Sequence, residues 1–219
     1  MQLDVIERYL PLYGQAALVT LQISLLGIVL ALAVGLVGAL LREARVPVLS
    51  QLVAAYVEVA RNTPLIVQLF FIYFGLPKAG LLLSATTSAV VGLAFLGGAY
   101  MTEAFRSGLE SVGRIQWESA TSLGMGRGQV LRHVVVPQAV SRCMPALVAN
   151  TIFLVKETSV VSVVALPDLV FRAKELIGRE YNTPEALVLL VAFYLLILLP
   201  ISLLGRWLEG RVRHAEFGN

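Results

Sequence analysis

The chain has 219 residues, of which 58% are hydrophobic and only 14% are charged, and its mean hydropathy is +0.81. A soluble domain of this length carries far more charge, so the composition excludes one and predicts a single membrane domain over residues 1–219. The net charge of +3 is small and scattered between apolar segments, which excludes nucleic-acid binding. A single cysteine, Cys143, excludes an intrachain disulfide and a cysteine-based metal site, and we predict no bound metal.

Five apolar runs are each long enough, at about 20 residues, to cross a bilayer as a helix. We therefore predict an all-α membrane protein with about five transmembrane helices. The predicted spans are 16–41, 52–76, 81–101, 143–166 and 186–204. An odd number of spans places the two termini on opposite sides of the membrane.

The distribution of basic residues predicts the orientation. The flanks 42–50, 103–142 and 206–219 contain ten arginines, whereas the flanks 1–15, 77–85 and 167–185 contain five basic residues. Cytoplasmic flanks are enriched in Lys and Arg, so the first set is predicted to be cytoplasmic. The N-terminus is then outside and the C-terminus is in the cytoplasm.

The second span contains two charged residues, Glu58 and Arg61. They are three residues apart, so on a helix they share a face, and we predict an intramembrane ion pair, formed within the chain or at a dimer interface. Direct contact of either residue with a transported solute is the alternative. Thr63-Pro64 follows directly and predicts a kink in the span.

A long polar segment, 106–142, separates the third and fourth spans on the predicted cytoplasmic side. Residues 117–123 form a predicted short helix, with Gly124 suited to its C-terminal cap. Glu118 lies near the start of that helix, where a carboxylate stabilises the helix or pairs with a partner's arginine. Pro137 predicts a helix start or a break. A structured polar segment of this length indicates a docking site for another protein, with a merely solvated loop as the alternative.

The motif Glu118-Ser119-Ala120, then Gly124, then Val134-x-Val136-Pro137 resembles the EAA loop of binding-protein-dependent ABC importer permeases. The resemblance covers nearly the whole chain and is strongest to the polar-amino-acid permeases for histidine, glutamine, arginine or cystine. Its other motifs are 61–77, 99–103, 136–139 and 156–159. The departures are conservative: Ser119 replaces the usual second alanine, valines replace Ile and Leu, and Asn62 stands where Gly is common.

The resemblance implies a type I ABC importer permease-like fold, embedded in the lipid of a bacterial inner membrane. It implies three partners: a second permease subunit, identical or different; a cytoplasmic ATPase dimer; and an extracytoplasmic solute-binding protein that delivers a polar amino acid. In this family the EAA loop docks on the ATPase, which assigns that role here to Glu118, Ser119, Ala120, Gly124 and Pro137.

The chain itself is not predicted to be an enzyme. Its glycine-rich segment 124–129 contains no Gly-Lys-Ser/Thr, so it cannot cradle a nucleotide phosphate. ATP and Mg are therefore expected on the partner ATPase, and no cofactor is expected on this chain.

Charged residues also lie in the fourth span. Lys156 and Glu157 are adjacent and point about 100° apart on a helix, so they cannot simply neutralise each other. With Thr158 and the β-branched residues after it, they predict a helix end or gate that lines the substrate pathway, with structural pairing as the alternative. Three other polar residues are candidates for the same pathway, or for hydrogen bonds between helices: Gln68, Tyr100 and Asn150.

The solute is predicted to be neutral or zwitterionic, because Asn150 is an amide and cannot neutralise a cationic side chain. Two other protein classes are disfavoured. A channel or secondary transporter is expected to show an inverted repeat or acid-rich spans, and this chain has neither. An intramembrane enzyme needs paired catalytic residues at depth, and both histidines lie outside the predicted spans.

Overall fold

The computed structural model describes residues 3–43 and 46–217, and this part of the chain is helical with no strand. This part of the chain forms nine α-helices. They are α1 Leu3–Glu43, α2 Pro47–Asn62, α3 Leu65–Phe70, α4 Ala85–Glu110, α5 Arg114–Ser122, α6 Arg127–Val130, α7 Val136–Glu157, α8 Leu169–Glu180 and α9 Thr183–Phe217. Two π-helical segments, Phe71–Gly75 and Leu131–Val135, and two 3₁₀ segments, Leu76–Ala79 and Thr158–Val164, continue these helices.

Among the described residues, four helical segments are long and apolar enough to cross a membrane: Asp4–Glu43, Ala85–Glu110, Arg127–Val164 and Thr183–Val212. A fifth crossing is possible through the pair Pro47–Asn62 and Leu65–Ala79, which is bent by 105°. The all-helical fold with four to five spans agrees with the predicted fold class.

The helices extend beyond the apolar runs. The first one begins at Leu3 rather than near residue 16, and the fourth apolar run belongs to a helical stretch that begins at Arg127. Much of the segment 106–142 is consequently helical and continuous with a span. Hydropathy detects the part of a helix that lies in lipid, and a helix whose end leaves the lipid gives no such signal.

The main core lies between α1 and α4, which pack closely because glycines on α1 leave room for side chains of α4. A Cβ atom on Gly35 would lie 2.3 Å from Cβ of Met101, so this contact requires glycine. Around it, Ile23, Leu93 and Leu154 are almost completely buried.

The break between α2 and α3 follows from two residues. Thr63 is extended (φ −112°, ψ 126°), and Pro64 has no N–H to continue the helix. The buried Gln68 side chain closes the break, because its Nε2 donates to the carbonyls of Ala60 and Thr63, both at 2.9 Å. The kink predicted from Thr63-Pro64 is confirmed.

Asp168, which lies outside the long apolar helices, caps α8. Its Oδ1 accepts a hydrogen bond from the N–H of Phe171 at 2.8 Å, while its buried Oδ2 has no hydrogen-bond partner among the described residues. Burial raises the pKa of the Asp168 carboxyl to about 6, against the lowering effect of the N–H groups of Phe171 and Val170 and of nearby Lys174.

We expect Asp168→Asn to stabilise the protein at pH 7.5. A raised carboxyl pKa means that the folded state loses stability as the pH rises from about 4 to above 6, because the buried group must ionise. Asparagine keeps the cap without that charge. Thermal melting in detergent should show the variant more stable at pH 7.5 and the difference vanishing below pH 4. A less stable variant at pH 7.5 would mean that the carboxylate has a stabilising partner.

Candidate functional site: a docking helix and a charged cavity

The short helix α5 is held in place by an apolar cluster beneath it. Ala120 is 5% exposed and packs with Val112 at the end of α4 and with Val130 and Val135. Trp117, also on α5, is half-buried against the same cluster. The third residue of the Glu118-Ser119-Ala120 motif is thus small because it faces this core.

The end of α5 is fixed by Gly124 in the left-handed conformation (φ 83°). The N–H of Gly124 donates to the carbonyl of Thr121 at 2.9 Å, and the N–H of Met125 donates to that of Ala120 at 3.2 Å. These two bonds form a Schellman motif, which satisfies carbonyls that the helix end would leave unpaired. The predicted role of Gly124 as a helix cap is confirmed.

The outer face of α5 is exposed and partly apolar. Glu118 forms an exposed ion pair with Arg114, one turn earlier, at 2.9 Å, and Ser119 is also exposed. Ile115 and Leu123 flank Ser119 on this face and are 74% and 83% exposed. Sequence reasoning missed these two residues, although their spacing of four around Ser119 already placed all three on one side of a helix.

Pro137 is the second residue of α7 and does not break the helix. The π-helical segment Leu131–Val135 directly before it joins α6 to α7. A changed hydrogen-bonding register of this kind accommodates a residue with no N–H donor. The Pro137 side chain lines a groove beside Trp207.

A second feature is a cavity of about 330 Å³ between the bend after α2, the middle of α4 and the end of α7. Two side chains of opposite charge, Arg61 and Glu157, line it, and no ion pair joins them in the described structure. Its remaining walls combine polar, aromatic and aliphatic groups: Asn62, Thr63, Pro64, Leu65, Ile66, Leu96, Tyr100, Phe153 and Val160.

Aromatic stacking orders one wall of this cavity. The Arg61 guanidinium carbon lies 5.1 Å from the Tyr100 ring centroid, and the Phe153 ring meets Tyr100 edge-on at 5.2 Å. Asn150 does not line the cavity; its Nδ2 donates to the Tyr100 carbonyl at 3.3 Å and so ties α7 to α4. Phe153 was missed, although it lies one turn before Glu157 on the same face of α7.

Comparison with known proteins gives the family. The sequence pattern of the binding-protein-dependent transport system inner membrane component family matches residues 23–214. The chain belongs to this family. It is therefore an inner-membrane transport subunit, which we call the permease from here on.

The permease is similar to amino-acid transporter permeases over almost its full length. It is 38% identical to the probable glutamine ABC transporter permease protein GlnP of Bacillus subtilis, covering 94% of this chain and 95% of that protein. It is 33% identical to the glutamine transport system permease protein GlnP of Escherichia coli, covering 93% and 94%. A crystal structure of an amino acid ABC transporter with histidines matches with a TM-score of 0.89 and 33% identity, covering 96% of this chain and 99% of that one.

The predicted ion pair between Glu58 and Arg61 is wrong within the permease chain. The Glu58 carboxylate instead accepts a hydrogen bond from Nδ2 of Asn62 at 3.0 Å, whereas Arg61 lies over Tyr100. Asn62 is one turn after Glu58 on the same helix and captures its carboxylate. Arg61 therefore lines the cavity and is not paired with Glu58.

Most of the residues predicted to line the substrate pathway lie outside this cavity. Lys156 is exposed and does not line the cavity, unlike Glu157 beside it. Thr158 is fully buried, and its hydroxyl donates to the Val155 carbonyl at 2.7 Å. Gln68 closes the α2–α3 break and borders a separate, apolar groove. Of the six residues predicted for the pathway, only Tyr100 and Glu157 line this cavity.

Proposed function

We propose that the permease forms half of the pathway of an ATP-driven importer for polar amino acids, and that the cavity between Arg61 and Glu157 receives the amino acid. The observation that carries this proposal is the pair of opposite charges on one small cavity. A free amino acid has a carboxylate and an ammonium group. Arg61 carries the charge opposite to the carboxylate, and Glu157 carries the charge opposite to the ammonium group. The relatives named for glutamine agree with a solute of this class.

The arrangement favours a neutral side chain on the solute. Arg61 can donate two hydrogen bonds to a carboxylate, and Glu157 can accept from the ammonium group. Among the lining residues there is no second carboxylate for a cationic side chain. Tyr100, Asn62 and Thr63 offer uncharged polar groups instead.

A second permease subunit is expected to complete the cavity. Arg61 and the apolar residues Leu52 and Val59 of α2 are exposed in the single chain and Glu157 is half-buried, as an interface between subunits requires. Such a partner also explains how a charged cavity is kept from lipid, which would otherwise be costly. An identical and a different partner subunit fit this expectation equally.

ATP hydrolysis belongs in this proposal to a separate cytoplasmic ATPase, which docks on α5. The predicted orientation, with the N-terminus outside and the C-terminus in the cytoplasm, would put α5 on the side where ATP is present. An extracytoplasmic solute-binding protein delivers the amino acid to the other side. No nucleotide or Mg is assigned to the permease itself.

Competition uptake tests the solute class. In proteoliposomes with the permease as the only membrane subunit, its ATPase and its binding protein, unlabelled glutamine should inhibit uptake of labelled glutamine far better than arginine or lysine does. The reason is that an unpaired cationic side chain in the cavity is strongly penalised. Arginine or lysine competing as well as glutamine would contradict the proposed charge preference.

A further inference from the structure

A groove opens between α7 and α9 at one end of the bundle. The two helices approach closely at Gly205, where a Cβ atom would lie 2.4 Å from Cγ1 of Val148. From that contact towards the start of α7 and the end of α9 they leave a groove of about 460 Å³. It is lined by Val136, Pro137, Val140, Trp207, Leu208, Arg211 and Val212.

The groove combines a long apolar surface with a single cation. Val140 and Trp207 are 40% and 52% exposed, so the apolar walls are open in the described structure. Arg211 is the only charged residue among the lining residues, and its guanidinium carbon lies 4.8 Å from the Trp207 ring centroid. Stacking on the indole holds the guanidinium at one end of the groove and leaves its N–H groups available to an anion.

The position of the groove along α9 sets its depth in the membrane. The uncharged part of α9 ends at Gly205, and Arg206, Trp207 and Arg211 follow it on the same helix. Tryptophan and arginine at the end of a transmembrane helix characteristically lie at the level of the lipid headgroups. The apolar walls then face acyl chains, while Arg211 reaches the phosphates.

We propose that this groove binds one anionic phospholipid, with an acyl chain along Val136, Val140 and Leu208 and the phosphate at Arg211. A basic residue between helices at the membrane surface matches the charge of such a headgroup. The lipid would sit beside the first turn of α7, which continues from the π-helical segment beneath α5. The proposal depends on the membrane position of α9 and is independent of which solute is carried.

Tryptophan fluorescence gives a direct test, because the chain has only two tryptophans. In a Trp117→Phe variant of the full chain, reconstituted in bilayers, the remaining fluorescence comes from Trp207 in the groove. Phosphatidylglycerol with brominated acyl chains should quench it with about five-fold higher affinity than brominated phosphatidylcholine, the effect of one basic residue at an anionic surface.

Two substitutions in that background identify the contact. Arg211→Gln should abolish the preference for phosphatidylglycerol while quenching by phosphatidylcholine persists, which shows that the chain is still folded. Arg206→Gln is the matched control, because Arg206 is exposed on the same helix but does not line the groove, and it should keep the preference.

Three results would overturn the proposal. Equal affinity of the Trp117→Phe variant for the two lipids would show that the groove does not select an anionic headgroup. An equal loss of preference in Arg206→Gln and Arg211→Gln would show that the preference for phosphatidylglycerol comes from general surface charge and not from the groove. Absence of quenching by both lipids would mean that a protein surface, of a second subunit or of the ATPase, covers the groove.

Discussion

Replacing Ile115 with aspartate should abolish solute uptake while leaving the permease folded in the membrane. Ile115 is 74% exposed on a helix that is otherwise anchored, which indicates a surface prepared for a partner. Burying such a side chain against an ATPase contributes about 1.5–3 kcal/mol, and a carboxylate in its place adds a desolvation cost. We therefore expect ATPase binding to weaken by more than about ten-fold.

The position of Ile115 separates docking from local unfolding. It lies in the first turn of α5, where an acidic side chain favours the helix, so a defect cannot come from loss of the helix itself. Leu123→Asp should have the same effect at the other end of the face, and Leu123→Met, which keeps an apolar contact, should transport normally. Full ATPase co-purification and wild-type uptake by Ile115→Asp would exclude α5 as the docking surface.

Replacing Glu157 with glutamine should lower solute uptake by about 10- to 100-fold. Glutamine keeps the shape of the side chain but removes the charge that accepts from the solute ammonium group, and a hydrogen bond to a charged group contributes about 1.5–3 kcal/mol. Uptake of labelled glutamine by the reconstituted complex measures the loss. ATPase docking on α5 should be unchanged, since the two sites are on different elements.

The neighbouring lysine provides the control for Glu157. Lys156→Gln changes the charge by the same amount one residue earlier, on a side chain that is exposed and does not line the cavity. Its uptake should stay within about two-fold of wild type, as for most surface substitutions. Wild-type uptake by Glu157→Gln, or an equal loss of uptake in both variants, would show that the solute does not bind in this cavity.

The parts of the fold that depend on neighbouring residues were predictable from the sequence. Thr63-Pro64 breaks a helix because of its own backbone chemistry, and Gly124 ends α5 because it adopts a positive φ. Four of the five apolar runs likewise lie in helices long enough to cross a membrane, whereas the second run falls on the bent pair α2 and α3. Helix ends were not predictable from hydropathy, because α1 and the stretch that begins at Arg127 continue outside the apolar runs.

The site was predicted less well, because its contacts join distant parts of the chain. The spacing of Glu58 and Arg61 allowed an ion pair, but nothing local revealed that the ring of Tyr100, on another helix, lies beneath the guanidinium. Adjacent charges at 156 and 157 looked equivalent in sequence, and only packing separates the exposed lysine from the glutamate on the cavity wall. Ile115 and Leu123 were not predicted, because an apolar side chain in a sequence does not reveal whether it is buried or exposed.

The central claim, that the permease is half of an importer driven by a partner ATPase, is tested most directly by transport into proteoliposomes. These would contain the permease with its ATPase, hold ATP or ADP inside, and receive the solute-binding protein and labelled glutamine outside. We predict accumulation above the external concentration only when ATP is inside and the binding protein is outside. Equilibration of glutamine across the membrane without ATP would contradict the account and indicate a channel or a secondary transporter.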